Sequence, residues 1–317
     1  MTAFPARHVL ISNMKNEGPF VLEWVAHHLV LGFDQIIVAS NDCSDGTDRL
    51  LAGLADAGFI AHVPNEVKPG EIPQHAGYAK IHKRHDVDSA DWLMMLDADE
   101  FLNVHLGAGQ VSDLTARAEP EVDVIALNGM FFAAEPEVNW RKGPICPRFQ
   151  MRLPIKHEAN IALKTLTRAP VWFREIHNHS LVNLREKAPL GVLWGDGTQT
   201  QTDPELPLWK QLRNGKIHAV SHRLAQYNHY GLKTWDSFMQ RRLRGRGAVA
   251  QTTEANARHT DAYWQSRNQP EAHDDSILRY GAAVRAQMDL MLQTDKIARR
   301  QRRAEKLYAE MVAPYRR

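Results

Sequence analysis

The chain has 317 residues, 44% of them apolar and 24% charged, and its 39 Lys and Arg residues against 37 Asp and Glu residues give a net charge of +2. This is the balance of a globular protein, and it excludes a disordered chain, a coiled coil and a collagen-like repeat. Because the charge is close to neutral, nucleic acid is not expected as a partner.

The sequence predicts a cytoplasmic protein. Two cysteines, Cys43 and Cys146, are too few for a disulfide scaffold or a cysteine zinc site. The sequence has no run of about 18 apolar residues, so a membrane-spanning helix is not expected. Residues 1–7 lead into a strand-like segment without the apolar core of a signal peptide.

Residues 1–102 alternate strand and helix signals. Between the strands, apolar residues recur at helical spacing, as in the helix that Asn16 is predicted to cap and Gly32 to end. Strands joined by single helices imply a Rossmann-like, mostly parallel α/β sheet that is flanked by helices. The predicted strands lie at residues 8–12, 35–40, 59–63 and 91–96.

The rest of the chain divides at about residue 249. Residues 103–249 are rich in proline and turns, and short strands near 122–127 and 162–166 favour a mixed sheet over further βαβ units. Residues 250–317 are predicted to be helical, with one long helix over residues 276–311.

Three acids follow directly on the most apolar of the predicted strands: Asp97, Asp99 and Glu100. Residues i and i+2 of a strand share a face, so Asp97 and Asp99 would have Cα atoms about 6.5–7 Å apart. Both carboxylates can then bind one divalent cation, which prefers oxygen ligands. Since parallel sheets bind ligands at the carboxyl ends of their strands, this position favours a ligand site over a solvated acidic turn.

A second polar turn, residues 41–47, follows another predicted strand and contains Asp42 and Asp45. It would lie at the same edge of the sheet, beside a helix N-terminus. Taken alone, such a turn is equally typical of an ordinary helix cap.

These motifs occur in an order that resembles a known family. After the first strand come Asn16 and Glu17, and then the turn at 41–47, Gln74 and the acids within 91–101. The order is similar to that of bacterial family-2-like glycosyltransferases with the GT-A fold. The resemblance is specific over about residues 8–102, weaker over 164–179 and 228–245, and absent beyond residue 250.

The resemblance implies hexosyl transfer from a nucleotide diphosphate sugar donor to an acceptor hydroxyl, on a glycan or a lipid-linked precursor of a surface polysaccharide. Residues 1–102 would be the nucleotide-sugar-binding half of the catalytic domain. Residues 103–249 would be its acceptor-side half, and residues 250–317 a helical C-terminal extension.

The resemblance also assigns roles to residues. Asp97 and Asp99 would hold Mn²⁺ or Mg²⁺ on the donor diphosphate, with His177 or His229 as a further ligand. The negative charge of a departing diphosphate suits nearby cations, although the arginines of 241–244 also fit a solvated helix face. The donor-binding candidates are Asn16, Glu17, Asp42, Asp45, Lys164, Arg168 and Arg242, with Arg241 and Arg244 as further cationic partners for phosphate.

The sequence does not identify the catalytic base. An inverting transferase needs a carboxylate to accept the proton of the acceptor hydroxyl, and Glu158, Glu175 and Asp196 lie in predicted loops. None of the three has a decisive context. A retaining enzyme would use another arrangement, and the sequence does not choose between the two outcomes.

Other functions fit parts of the pattern. Paired acids also suit a metal-dependent nucleotidyltransferase or phosphoesterase, which would need further carboxylates around a second metal. A nucleotide-sugar-binding protein without turnover would keep the same fold. The basic run at residues 296–303 fits anionic lipid headgroups at the inner face of the membrane, a solvated helix or, less well, nucleic acid. The association state is left open.

Overall fold

The computed structural model describes residues 7–213, 219–250 and 259–317. The strands are β1 (His8–Met14), β2 (Gln35–Asn41), β3 (Ala61–Asn65), β4 (Trp92–Met95), β5 (Glu100–Val104), β6 (Val122–Phe131), β7 (Met151–Arg152), β8 (Leu163–Arg168), β9 (Phe173–Ile176), β10 (Leu181–Leu184), β11 (Gly191–Trp194), β12 (Gln199–Gln201), β13 (Ala225–His229) and β14 (Ala272–His273). The helices are α1 (Gly18–Val30), α2 (Thr47–Asp56), α3 (Pro73–Arg84), α4 (Val111–Thr115), α5 (Leu208–Arg213), α6 (Trp235–Arg244), α7 (Asp261–Arg267), α8 (Gly281–Leu292) and α9 (Asp295–Val312).

A central sheet runs in the order β12-β11-β6-β8-β4-β1-β2-β3. The four strands from the first part of the chain, β3, β2, β1 and β4, are all parallel. Strand β8 then runs antiparallel between β4 and β6. The predicted α/β class is therefore confirmed, with a parallel first half, a mixed second half and helices at the end of the chain.

Both faces of this sheet are covered, which explains why its central strands are apolar without alternation. On β1, Leu10 packs into one core with Trp24 of α1. Its neighbours Val9 and Ile11 point to the other face and pack with Ile81 of α3. All of these side chains are buried.

Two strands that the sequence analysis did not predict, β5 and β13, lie near the end of β4. Strand β13 pairs antiparallel with β5 and parallel with the last residues of β6. In this register His229 is opposite Glu100. The end of β13 therefore lies beside the three acids, although more than 120 residues separate them in sequence.

The single helix predicted over residues 276–311 is wrong. The structure has a 3₁₀ turn at Ser276–Tyr280, helix α8 and then helix α9. Thr294 lies between α8 and α9 in an extended conformation (φ −79°, ψ 108°), so the backbone leaves the helical path and starts again at Asp295. Buried Ile297 and Tyr308 hold α9 in the core that also contains α1 and α2.

Within the three described ranges, no helix combines the length and the apolar character needed to cross a bilayer.

Candidate functional site

A cleft of about 830 Å³ opens where β1, β2 and β4 end, and Asn13, Asn41 and Asp97 line it there. Among the described lining residues, lysines and arginines outnumber carboxylates. A cleft with this balance suits an anionic ligand. The carboxylates are Glu17, Asp97, Asp99 and Glu100, and the cations are Lys15, Arg213, Arg241, Arg244, Arg246 and Arg267.

Asp99 is buried in the lining of the cleft, between Arg241 and His229. Its Oδ2 accepts a hydrogen bond of 2.5 Å from Nη1 of Arg241, and Nε2 of His229 lies 3.5 Å from the same oxygen. The backbone N–H of Tyr230 donates to the Asp99 carbonyl over 2.8 Å, which fixes β13 beside the acid. Burial alone would raise the pKa of Asp99, but Arg241 and His229 outweigh burial and hold it well below its usual range.

Lys164 is a fully buried lysine that pairs with the other two acids. Its Nζ is 3.1 Å from Oδ2 of Asp97 and 2.9 Å from Oε2 of Glu100. The position follows from register: Met94 pairs with Leu166, so Lys164, two residues earlier on the antiparallel strand β8, lies where β4 ends. The predicted cation is therefore at the site, and it is held by the carboxylates there.

The turn that carries the acids is fastened from both sides. The indole N–H of Trp24 on α1 lies 3.1 Å from the Asp97 carbonyl and 2.9 Å from the Glu100 carbonyl. Gln74 at the start of α3 donates to Oδ1 of Asp97 over 2.6 Å. Burial raises the pKa of Glu100 to about 7, although Lys164 acts in the opposite direction.

Glu17 is a buried carboxylate in the lining of the cleft. It is 2.5 Å from Nη1 of Arg244 and 3.4 Å from Nζ of Lys233. Arg244 also donates to the Lys15 carbonyl. The start of α1 is therefore tied to the end of α6 by charge.

The predicted cap of α1 is wrong, because Glu17 occupies the cap position and Asn16 lies before it with a positive φ of 53°. The Asn16 side chain instead accepts from the Ser44 N–H over 2.8 Å. Asp45 is buried and accepts from the backbone N–H groups of Gly18 and Thr47, 2.8 and 2.9 Å away. Asn16 and Asp45 thus join the first loop to the turn at 41–47.

Of the seven donor-binding candidates, only Glu17 is among the described residues that line the cleft. Asn16, Asp45 and Lys164 are held in the contacts given above, and the other three have the following surroundings. Arg168 packs over Trp92 at the other end of β4, about 16 Å of strand from Asp97. Arg242 points away from the cleft and pairs with Asp261 over 2.9 Å. Asp42 is exposed on its turn. Helix α6 brings Arg241 and Arg244 to the cleft instead.

The two histidine candidates have different surroundings. His177 lines the cleft, but its Nε2 is 3.3 Å from Glu175 and its ring stacks on His75 at 4.4 Å. His229 lies against Asp99. Of the two candidates, His229 is the one that the structure pairs with an aspartate of the cleft.

None of the three candidate bases lines the cleft. Glu158 is 66% exposed and lies 3.4 Å from Arg267, while Glu175 is 55% exposed. Asp196 accepts from the backbone and hydroxyl of Thr198 in the turn between β11 and β12. Among the described residues, the carboxylates that line the cleft are the four already held by cations.

The comparisons with known proteins give partial sequence similarity to glycosyltransferases. No family model matches the chain. A glycosyltransferase family 92 protein of Ricinus communis is 28% identical over 103 residues, which is 32% of this chain and 18% of that protein. A family 92 protein of Oryza sativa subsp. japonica is 27% identical over 90 residues, which is 28% of this chain and 15% of that protein. The match thus spans less than a fifth of these relatives.

The solved structures are similar to this chain only at low identity and low TM-score. TarS 1–349 of S. aureus has 12% identity and a TM-score of 0.34, with 98% of this chain and 91% of that chain covered. TarS in complex with UDP has 15% identity and a TM-score of 0.30, over 44% and 38% of the two chains. An LgtC active-site mutant has 13% identity and a TM-score of 0.26, over 52% and 58%. The fold class of this chain rests on its own sheet topology.

Proposed function

We propose that this chain is a glycosyltransferase, of hexosyltransferase type, that moves a sugar from a nucleotide diphosphate donor to an acceptor hydroxyl. The observation that carries the proposal is the position of Asp97 and Asp99, at the carboxyl end of a buried parallel strand and inside a cation-rich cleft. The partial similarity to family 92 glycosyltransferases agrees with it.

The charges of the cleft suit the chemistry of such a donor. When the bond between sugar and phosphate breaks, the departing nucleoside diphosphate gains negative charge. Cations that are already in place stabilise this charge without reorganising. Arg241 and Arg244 project from one face of α6 into the cleft, and Lys15 lies beside them in its lining.

The ligating atoms of Asp97, Asp99 and His229 are compatible with Mn²⁺ or Mg²⁺. The cations that now pair with the two aspartates have to move away first. Oδ2 of Asp99 and Nε2 of His229 are 3.5 Å apart, close to the separation of about 3 Å between neighbouring ligands of one octahedral ion. In the described ranges no group of three or more ligating side chains is already assembled. Asp97, Asp99 and His229 would hold the ion, which when bound supplies positive charge to the leaving diphosphate.

One observation favours a second function, a nucleotide-sugar-binding protein without turnover. None of Glu158, Glu175 and Asp196 lines the cleft, so none of these carboxylates is placed to take a proton from an acceptor there.

We assign the acceptor to surface-glycan synthesis, as a glycan or a lipid-linked precursor, with α9 touching the inner face of the membrane. The outer side of α9 carries cations, opposite the buried Ile297, Ala304 and Tyr308. Such a face attracts anionic headgroups. The exposed cations of α9 are Lys296, Arg299, Arg302, Arg303 and Lys306.

A turnover assay tests the proposed reaction. The purified chain with Mn²⁺ is offered a panel of UDP-sugars and GDP-sugars, and the released nucleoside diphosphate is measured. We expect release from one donor, increased by a hydroxyl acceptor. Binding without release would favour the second function. Release of inorganic phosphate or pyrophosphate would point to a phosphoesterase or nucleotidyltransferase.

A further inference from the structure

Arg241 occupies the carboxylate that a metal ion would need. Its Nη1 donates to Oδ2 of Asp99 over 2.5 Å and to the Gly231 carbonyl over 2.6 Å. The Asp99 side chain is 6% exposed and that of Arg241 is 21% exposed. The pair is therefore shielded from water, where ion pairs are strong and the loss of one partner is costly.

A divalent ion and the guanidinium cannot both use this oxygen. An ion bound to Asp99 and His229 would face the positive charge of Arg241 at short range. Arg241 has to leave Asp99 first, and it needs a new anionic partner because a buried cation without one is unfavourable.

Within its described lining, the cleft offers such a partner only when an anionic ligand is bound. The described carboxylates of its lining are already engaged: Glu17 by Arg244, and Asp97 and Glu100 by Lys164. A diphosphate in the cleft would supply oxygens that match the planar guanidinium. The position of Arg241 on α6, in the lining of the cleft, puts it within the reach of such a ligand.

We propose that Arg241 is a shared cation, which Asp99 holds in the ligand-free chain and which turns to the donor diphosphate when a divalent ion replaces it on Asp99. This inference rests on the proposed function, because it takes a nucleotide diphosphate as the ligand. It makes Arg241 a donor-binding residue. It also makes metal and diphosphate bind cooperatively, and the coupling acts equally in both directions.

Calorimetric titration of Mn²⁺ into the full chain, with and without UDP or GDP, tests the exchange. In the wild type we expect weak binding of Mn²⁺ alone and much tighter binding with the nucleotide. In Arg241→Ala, Mn²⁺ alone should bind about tenfold more tightly than in the wild type, because Asp99 no longer has a competing cation. The gain from the nucleotide should shrink by a similar factor. A merely structural role for Arg241 predicts the opposite, weaker Mn²⁺ binding in the variant.

Arg242→Ala is the matched control, because Arg242 is the next residue on α6 and pairs with Asp261 outside the cleft. It should titrate like the wild type. Arg241→Lys keeps the charge but loses the planar guanidinium, and it should fall between the wild type and Arg241→Ala. It provides the measurement if the alanine variant does not fold.

Two outcomes separate the inference from the function on which it rests. If Arg241→Ala, or Arg241→Lys in its place, binds Mn²⁺ alone no more tightly than the wild type while UDP or GDP still binds, the exchange is wrong and the donor site stands. If the wild type binds neither nucleotide at any Mn²⁺ concentration, both the exchange and the proposed function are wrong.

Discussion

Arg241 and Asp99 are 142 residues apart in sequence, yet Nη1 of the arginine lies 2.5 Å from Oδ2 of the aspartate. Lys164 has the same relation to Asp97 and Glu100, from the antiparallel strand beside β4. The three acids at the end of β4 are therefore paired with two cations of the chain itself. These ion pairs are present in the chain without any ligand.

The first prediction concerns the buried lysine. Lys164→Met should lower the free energy of unfolding by about 3–5 kcal/mol, because it leaves Asp97 and Glu100 without their counter-charge. Urea denaturation followed by circular dichroism measures the loss. Adding Glu100→Gln should recover part of it, since the neutral amide needs no cation.

Lys187 provides the control for that experiment. It pairs with Glu205 over 2.8 Å, but both side chains are well exposed, so Lys187→Met should cost less than about 1 kcal/mol. Equal effects of Lys164→Met and Lys187→Met would contradict the assignment of Lys164 as the ion that holds the turn.

The second prediction separates the two histidines. His229→Gln should weaken Mn²⁺-supported binding of UDP or GDP at least about tenfold, because the ring lies 3.5 Å from Asp99. His177→Gln should have the smaller effect, since His177 interacts with Glu175 and His75. Nucleotide titrations at fixed Mn²⁺ compare the variants. A larger loss of nucleotide affinity in His177→Gln than in His229→Gln would contradict the choice of His229.

The third prediction is a pH dependence of stability. Burial lowers the pKa of His27 from 6.5 to about 4, although its hydrogen bond to the Leu102 carbonyl acts in the opposite direction. Between these values the unfolded chain binds the proton that the folded chain excludes. The contribution of neutral His27 to the free energy of unfolding is therefore fully present above about pH 6.5 and is lost as the pH falls toward 4. Through His27, we expect the free energy of unfolding to fall by about 2 kcal/mol between pH 7 and pH 5.

Urea unfolding of the wild type and of His27→Gln at both pH values checks this. The glutamine variant should lose less stability on acidification than the wild type. His273→Gln, at an exposed position on β14, should lose as much stability between pH 7 and pH 5 as the wild type. If His27→Gln loses as much stability on acidification as the wild type, groups other than His27 set the acid sensitivity.

The fourth prediction concerns the basic face of α9. The chain should co-sediment with vesicles that contain phosphatidylserine and not with neutral phosphatidylcholine vesicles, and added salt should weaken the binding. Replacing Arg299, Arg302 and Arg303 by glutamate should abolish it, because these side chains are exposed on one side of the helix. Undiminished binding of the triple variant would place the membrane contact elsewhere.

Local patterns predicted the parts of the site that depend on neighbouring residues. Asp97 and Asp99 could be placed because an apolar strand directly precedes them. The end of α1 could be placed at Gly32, whose φ of 89° suits glycine. The parallel direction of the first four strands follows from the same alternation of strand and helix, whereas their order in the sheet does not.

The remaining positions depend on register and helix phase, which composition and spacing do not define. His229 reaches Asp99 because β13 pairs with β5, a contact between distant segments. Arg168 and Lys164 share one short strand, and its antiparallel direction puts only Lys164 at the site. Arg241 and Arg242 are adjacent, so only the rotation of α6 decides which of them faces the cleft.

The central claim is that Asp99 belongs to a metal-assisted site for a nucleotide diphosphate. The most direct measurement is the shift in melting temperature with UDP or GDP, with and without Mn²⁺, for the wild type, Asp99→Asn and the exposed control Asp289→Asn on α8. We predict a Mn²⁺-dependent shift in the wild type and in Asp289→Asn, and none in Asp99→Asn. No shift with either nucleotide in the wild type, or the same shift without metal or in Asp99→Asn, would contradict the claim.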